Sequence, residues 1–192
     1  MKKLLTGLST LTLALLSNHA IATNTLVVKG EIADTTCTIG VGYDGSVGES
    51  TTFSFSDISV NEFTSANQAA GTEGIIFLLS NCSDQALKNT YIHFESGSTT
   101  DPSRTGVLLN TIKTGSAMAT GLAFRLVDPD TFNPIEIGSA NQADGASIEL
   151  TESPDGSGLY GKIIYGVQYY SIAETVTPGY INSHVTWVLG YK

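Results

Sequence analysis

Short runs in which apolar and polar residues alternate dominate the chain, and apolar residues at helical spacing are almost absent. Phe53 and Phe55 alternate with Ser54 and Ser56; Ile92 and Phe94 alternate with Tyr91, His93 and Glu95. Leu122, Phe124 and Leu126 share one face, with Ala123, Arg125 and Val127 on the other. Ile163, Tyr165, Val167 and Tyr169 form a further stripe. Ile75 to Leu79 is a continuous apolar run that ends near Cys82, as a strand buried on both faces would be. Turn-rich segments at 96–105, 128–138 and 153–161 separate these runs. Strands at this spacing, with twenty glycines, predict an antiparallel sandwich or barrel. Internal repeats and linkers are absent, so a single domain is expected.

The two ends of the chain carry the most distinctive patterns. Near the C-terminus, Val185, Trp187, Leu189 and the penultimate Tyr191 lie on one stripe, and Gly179 stands fourteenth from the end, after Pro178. Termini usually fray; a terminal strand bearing Trp and Tyr on one face is expected to be paired and buried. At the other end, Leu26, Val28, Gly30 and Ile32 form a second stripe. The residues leave two readings open: the first strand of the domain's own sheet, or a segment whose front half pairs with something else.

Ahead of this stripe, Lys2 and Lys3 precede a 13-residue apolar stretch, Leu4 to Leu16, and then Ala20-Ile21-Ala22. The stretch is too short to cross a hydrocarbon core of ~30 Å as a helix. Residues 1–22 therefore read as a cleaved secretory signal of bacterial style, with Thr23 the first mature residue. The 170 residues from 23 to 192 are enough for one domain with a real core. Loss of the signal removes two of nine basic residues and none of eighteen acids, leaving seven against eighteen, a formal charge of −11. Such a chain repels nucleic acid and anionic lipid, and no later hydrophobic run approaches membrane length. Cys37 and Cys82 are the two cysteines; in an oxidising compartment such a pair is expected as a structural disulfide. Closing that 46-residue ring would stabilise the fold by about 4 kcal/mol on the loop-entropy estimate.

Catalytic signals are thin. His93 and His184 lie on polar faces of alternating strands, and no nucleophile elbow, dinucleotide fingerprint or phosphate loop occurs. Asp128, Asp130 and Asn133 faintly suggest a calcium loop, but Pro129 and Pro134 and the missing twelfth-position Glu favour a plain turn. No enzyme activity, cofactor or metal is expected.

Taken together, Val28-Lys29-Gly30-Glu31-Ile32 before Cys37, Cys82, the Val167-Gln168-Tyr169-Tyr170 run, and the ending from Pro178-Gly179 to Trp187-Val188-Leu189-Gly190-Tyr191-Lys192 resemble subunits of chaperone–usher fimbriae. The resemblance spans the chain. It implies an incomplete immunoglobulin-like β-sandwich of six strands, missing the seventh and completed by a donor strand. Residues 23–32 would be the donor segment of a single pilin domain at 23–192, with Leu26, Val28, Gly30 and Ile32 as its stripe. Gly179, Val185, Trp187, Leu189 and Tyr191 would form the acceptor groove and the chaperone contact. Implied partners are a periplasmic chaperone, an outer-membrane usher and neighbouring subunits, with export through the periplasm to a surface fimbrium that supports cell adhesion. Only fourteen mature residues precede Cys37, which resembles minor or tip-adaptor subunits more than shaft pilins. The alternatives are a stand-alone carbohydrate-binding sandwich and a periplasmic hydrolase.

Overall fold

The structure, a computed structural model, describes residues 24–30, 37–42, 50–82, 89–113, 117–144 and 147–191. The expected signal segment and Ile32 lie outside these residues, as do Lys192 and the link from 31 to 36. Eleven strands are described: β1 (Asn24–Gly30), β2 (Thr38–Gly42), β3 (Ser50–Phe55), β4 (Ala69–Cys82), β5 (Asn89–Glu95), β6 (Val107–Leu108), β7 (Leu122–Val127), β8 (Ser147–Glu149), β9 (Thr151–Glu152), β10 (Leu159–Ser171) and β11 (Asn182–Tyr191). Two short 3₁₀ turns, Val60–Glu62 and Ala140–Asp144, accompany them.

The strands form two sheets. One runs β3-β1-β11-β5-β8 and the other β2-β4-β10-β7-β6, with β9 beside β10. Their inward stripes are those the alternation singles out. Phe53, Phe55, Ile92, Phe94, Val185 and Trp187 face Ile75, Phe77, Leu79, Phe124, Ile163, Tyr165, Val167 and Tyr169 across one buried core. Phe77 sits at its centre, edge-on to Trp187, Tyr165 and Phe94 at centroid separations of 5.1, 5.9 and 6.1 Å. These are favoured aromatic geometries and add to plain area burial. Cys37 and Cys82 form the expected disulfide, joining the start of β2 to the end of β4.

Two facings differ from the sequence reading. On β4, Ile75, Phe77 and Leu79 are buried but Ile76 and Leu78 only half so, because nothing in the described chain fully covers that face. On β7 the second face is also covered: Ala123 and Val127 are buried. Val107, Ala123 and Tyr170 make a small outer cluster there, with the Arg125 guanidinium 4.3 Å from the Tyr170 ring centre.

The expected vacancy beside the last strand is where the fold departs most from the resemblance. That place is held by the chain's own β1, which pairs with β11 on one side and β3 on the other. The physical reason is in the stripe: Leu26 and Val28 are both completely buried, and no other described segment covers the core at that point.

Candidate functional site: the seam between β1 and β11

β11 starts from a backbone that only glycine suits. Gly179 has φ +151°, and a Cβ there would come within 2.4 Å of the Ala119 nitrogen and the Met118 carbonyl carbon. Residues 117–119 lie this close because Tyr180 N donates to Ala117 O and Ala119 N donates to Tyr180 O. Gly179 thus sets the launch of the strand and lies at the groove's end. From there Val185 and Trp187 point into the core, fully or almost fully buried. Leu189 is half-buried against the same core.

Tyr191 corrects the sequence reading. It shares the stripe by parity, yet it is 36% exposed, because by this point the strand has run past the edge of the core. Its backbone still pairs with Thr90. His184 and His93, half-buried, are on the outward faces as expected. At Gly190 the Tyr91 ring of β5 lies across the strand where a Cβ would stand 2.3 Å from it.

β1 lies beside β11 in parallel, from Thr25 opposite Asn182 to Gly30 opposite Trp187. Every other strand pairing described is antiparallel. Leu26 and Val28 fill the core beneath the seam, facing the same way as Val185 and Trp187. The front of β1 carries a polar latch that the alternation does not signal. Asn24 is buried; its Oδ1 accepts from Ile181 N at 3.2 Å and its Nδ2 donates to Asp57 Oδ1 at 3.5 Å. Thr25 N donates to Ile181 O at 3.0 Å, and the Thr25 hydroxyl donates to Asn182 Oδ1. Just beyond Asn24 a small cavity of about 40 Å³ remains, lined by Ile58, Val60, Phe63, Leu122, Tyr169 and Gly179 among others. At the other end, Trp187 Nε1 is buried with no hydrogen-bond partner among the described residues. Burial pushes the Tyr169 phenol well above its ordinary pKa, and its hydroxyl donates to Ser56 O at 3.0 Å.

Two larger hollows lie elsewhere, and several of their polar groups are hydrogen-bonded within the chain. In one, of about 710 Å³, Asp101 and Arg104 pair at 2.7 Å, and Arg104 also donates to Ile172 O. Burial raises the Asp101 carboxyl, but hydrogen bonds from Ser103 and the Arg104 contact outweigh it and hold it below the usual range. The other, of about 520 Å³, includes Asp128 and Gln142. Asp128 Oδ1 accepts from Thr131 N, Thr131 Oγ1 and Asp130 N, chiefly the first, which lowers its pKa. Gln142 spends both ends of its amide on the backbone of Phe94, covering the β5 edge beyond β8. The 128–133 segment is therefore a turn organised around Asp128. Among the described residues no group of three or more His, Cys, Asp or Glu is placed to hold a metal.

The arrangement defines a class: a two-sheet sandwich in which the last strand, β11, is covered by the first described strand, β1, with no catalytic group assembled beside it among the described residues. Comparison with protein families places it further. Residues 26–192 match the family described as "Fimbrial protein", and the chain belongs to that family. It is a fimbrial subunit, a component of a surface fimbrium. Comparison with curated proteins gave no match. Among solved structures, an antigen and type I fimbria protein of Burkholderia pseudomallei is 25% identical, with a TM-score of 0.42, covering 82% of this chain and 90% of that one. The CupB6 tip adhesin of Pseudomonas aeruginosa is 17% identical, with a TM-score of 0.40, covering 67% of this chain and 36% of that one. Both superpositions are loose, and family membership rests on the family match.

Proposed function

We propose that this subunit polymerises by donor-strand exchange: the segment around β1 leaves its own chain and completes the sandwich of a neighbour, beside that neighbour's β11. The observation that carries this reading is the placement of β1. It is the first described strand, interposed between β3 and β11, and its six-position ladder is parallel where the other described strand ladders are antiparallel. Without it, β11 and β3 would present unpaired backbone and the core would be open above Val185 and Trp187, a surface that must be covered by some strand. β-Strand addition supplies such cover, with backbone hydrogen bonds giving affinity and alternate side chains giving specificity.

In this reading a periplasmic chaperone captures the seam during export, an outer-membrane usher organises the exchange, and the fourteen residues before Cys37 suit a minor or tip-adaptor subunit. Leu26, Val28, Gly30 and Ile32 act as donor residues. Val185, Trp187 and Leu189 line the acceptor groove, Gly179 shapes its end, and Tyr191 contributes at its exposed margin.

Deleting residues 24–30 tests this directly. The shortened chain is expected to accumulate poorly in the periplasm, to be rescued by a co-expressed cognate chaperone or by a donor strand appended after Lys192, and to be unable to insert into another subunit. A shortened chain that stays soluble, monomeric and as heat-stable as the full one would overturn the proposal.

A further inference from the structure

We propose that the free subunit is self-capped: β1 is an intramolecular plug, held by a side-chain latch at Asn24 and Thr25, that closes this chain's groove to donor strands from other copies until it is withdrawn. The inference rests on the strand-exchange reading for its consequence, but the cap itself is a separate claim.

Three features mark β1 as fitted to its own groove. Its register brings Leu26 and Val28 onto the core and Gly30 opposite Trp187. The Asn24 side chain reaches back to the Ile181 amide, which no strand partner would otherwise satisfy, and also reaches Asp57. Thr25 adds a backbone bond to Ile181 and a hydroxyl bond to Asn182. A generic donor would supply backbone pairing; the Asn24 and Thr25 contacts depend on those two side chains.

Three other features make the plug replaceable. Parallel ladders are slightly weaker per residue than antiparallel ones, and β1 runs parallel to β11. A strand from a second copy is not joined to this chain's β2 and can approach in either direction. With the cap in place a cavity of about 40 Å³ remains beyond Asn24, and the Trp187 indole N–H finds no partner among the described residues. An incoming strand that fills the first or offers an acceptor to the second gains what the plug forgoes. The cap is therefore a resting state that protects the core and the edges of β3 and β11, and that a better-fitting donor displaces.

The test is to pin the cap. Thr25 and Asn182 are opposed across the seam, and adjacent strands bring such Cα atoms within the range a disulfide spans. The exported chain carrying T25C and N182C is expected to form this bridge within one molecule in its monomer fraction, read by non-reducing mass spectrometry beside the N182C single variant. The bridged monomer should take up a fluorescent peptide of residues 23–32 at least about a hundredfold more slowly than wild type. The Asn24→Ala variant, which frees the latch, should take it up roughly tenfold faster. Two free thiols in the monomer, or bridges formed only between molecules, would overturn the cap, and the second result would leave strand exchange standing. Equal, measurable uptake by bridged and unbridged chains would also overturn it. An intramolecular bridge with no uptake by any variant would uphold the cap and remove strand exchange instead.

Discussion

The two seams of this sandwich that run through its middle are built differently. β10 and β4 pair antiparallel over ten positions, from Leu159 opposite Cys82 to Tyr170 opposite Ala69. β4 is anchored at its end by the disulfide, and β10 contributes Tyr165 and Tyr169, whose hydroxyls donate to backbone carbonyls of the other sheet's side. β1 and β11 pair in parallel over six positions, with two fully buried side chains and one polar latch. The first seam cannot open without exposing the aromatic centre around Phe77. Loss of β1 from the second uncovers the core above Val185 and Trp187 but removes none of the rings that touch Phe77. The contrast separates an extensively paired frame from a lightly held cover, and sub-global opening is expected where buried contacts are fewest.

The largest expected effect strikes the frame. Phe77→Ala removes the ring that touches Trp187, Tyr165 and Phe94 and should cost about 3–5 kcal/mol in a urea melt, lowering both seams together. If hydrogen exchange then shows only β1 and β11 opening, the frame has been misassigned. Leu26→Asp acts on the cover. A carboxylate at this fully buried position is intolerable without a partner, so β1 should detach; the loss is bounded by the roughly 3–6 kcal/mol that burying Leu26 and Val28 contributes at most. Amide protection should fall at β11 and persist at β4 and β10; uniform loss would erase the distinction.

Acid tests whether loops attached to the frame weaken before either seam. Asp101 and Asp128 are held below the ordinary carboxylate range, and Asp155 is lowered to about 2 by hydrogen bonds from Ser153 and Ser157. For a depressed carboxylate, the stabilisation is present above the unfolded pKa of about 3.9 and disappears as pH falls through the folded value. The melting temperature should therefore decline between about pH 4 and pH 2, and Asp101→Asn and Asp128→Asn should flatten that decline. The smallest effect belongs to the outer face: His184→Ala should change stability by no more than about 0.5 kcal/mol, whereas Trp187→Glu on the same strand should be severe and Tyr191→Glu intermediate. Equal responses at the three positions would contradict the observed facing.

Much of this architecture was legible from residue order, because a period of two is a local property. Phe53/Phe55, Ile92/Phe94, Ile163 to Tyr169 and Val185/Trp187 needed no partner to declare an inward face, and two cysteines in an exported chain needed only an oxidising compartment to pair. Short covers such as β6, β8 and the Ala140–Asp144 turn were not legible, since two or three residues carry no period. Nor was the burial of Ala123 and Val127, which depends on what folds over them. Tyr191 shows the limit most plainly: alternation gives the face a residue shares, while the extent of the core decides whether that face is covered there.

The sequence by itself determined a sandwich or barrel of alternating strands, a pair of cysteines placed to form a disulfide, and an apolar stripe at each end. Only the tertiary structure decided that the two end stripes meet, in parallel, with Asn24 fastening one to the other. The reason is that strand pairing between residues some 150 positions apart depends on which edge the rest of the fold leaves uncovered, and no local pattern encodes that.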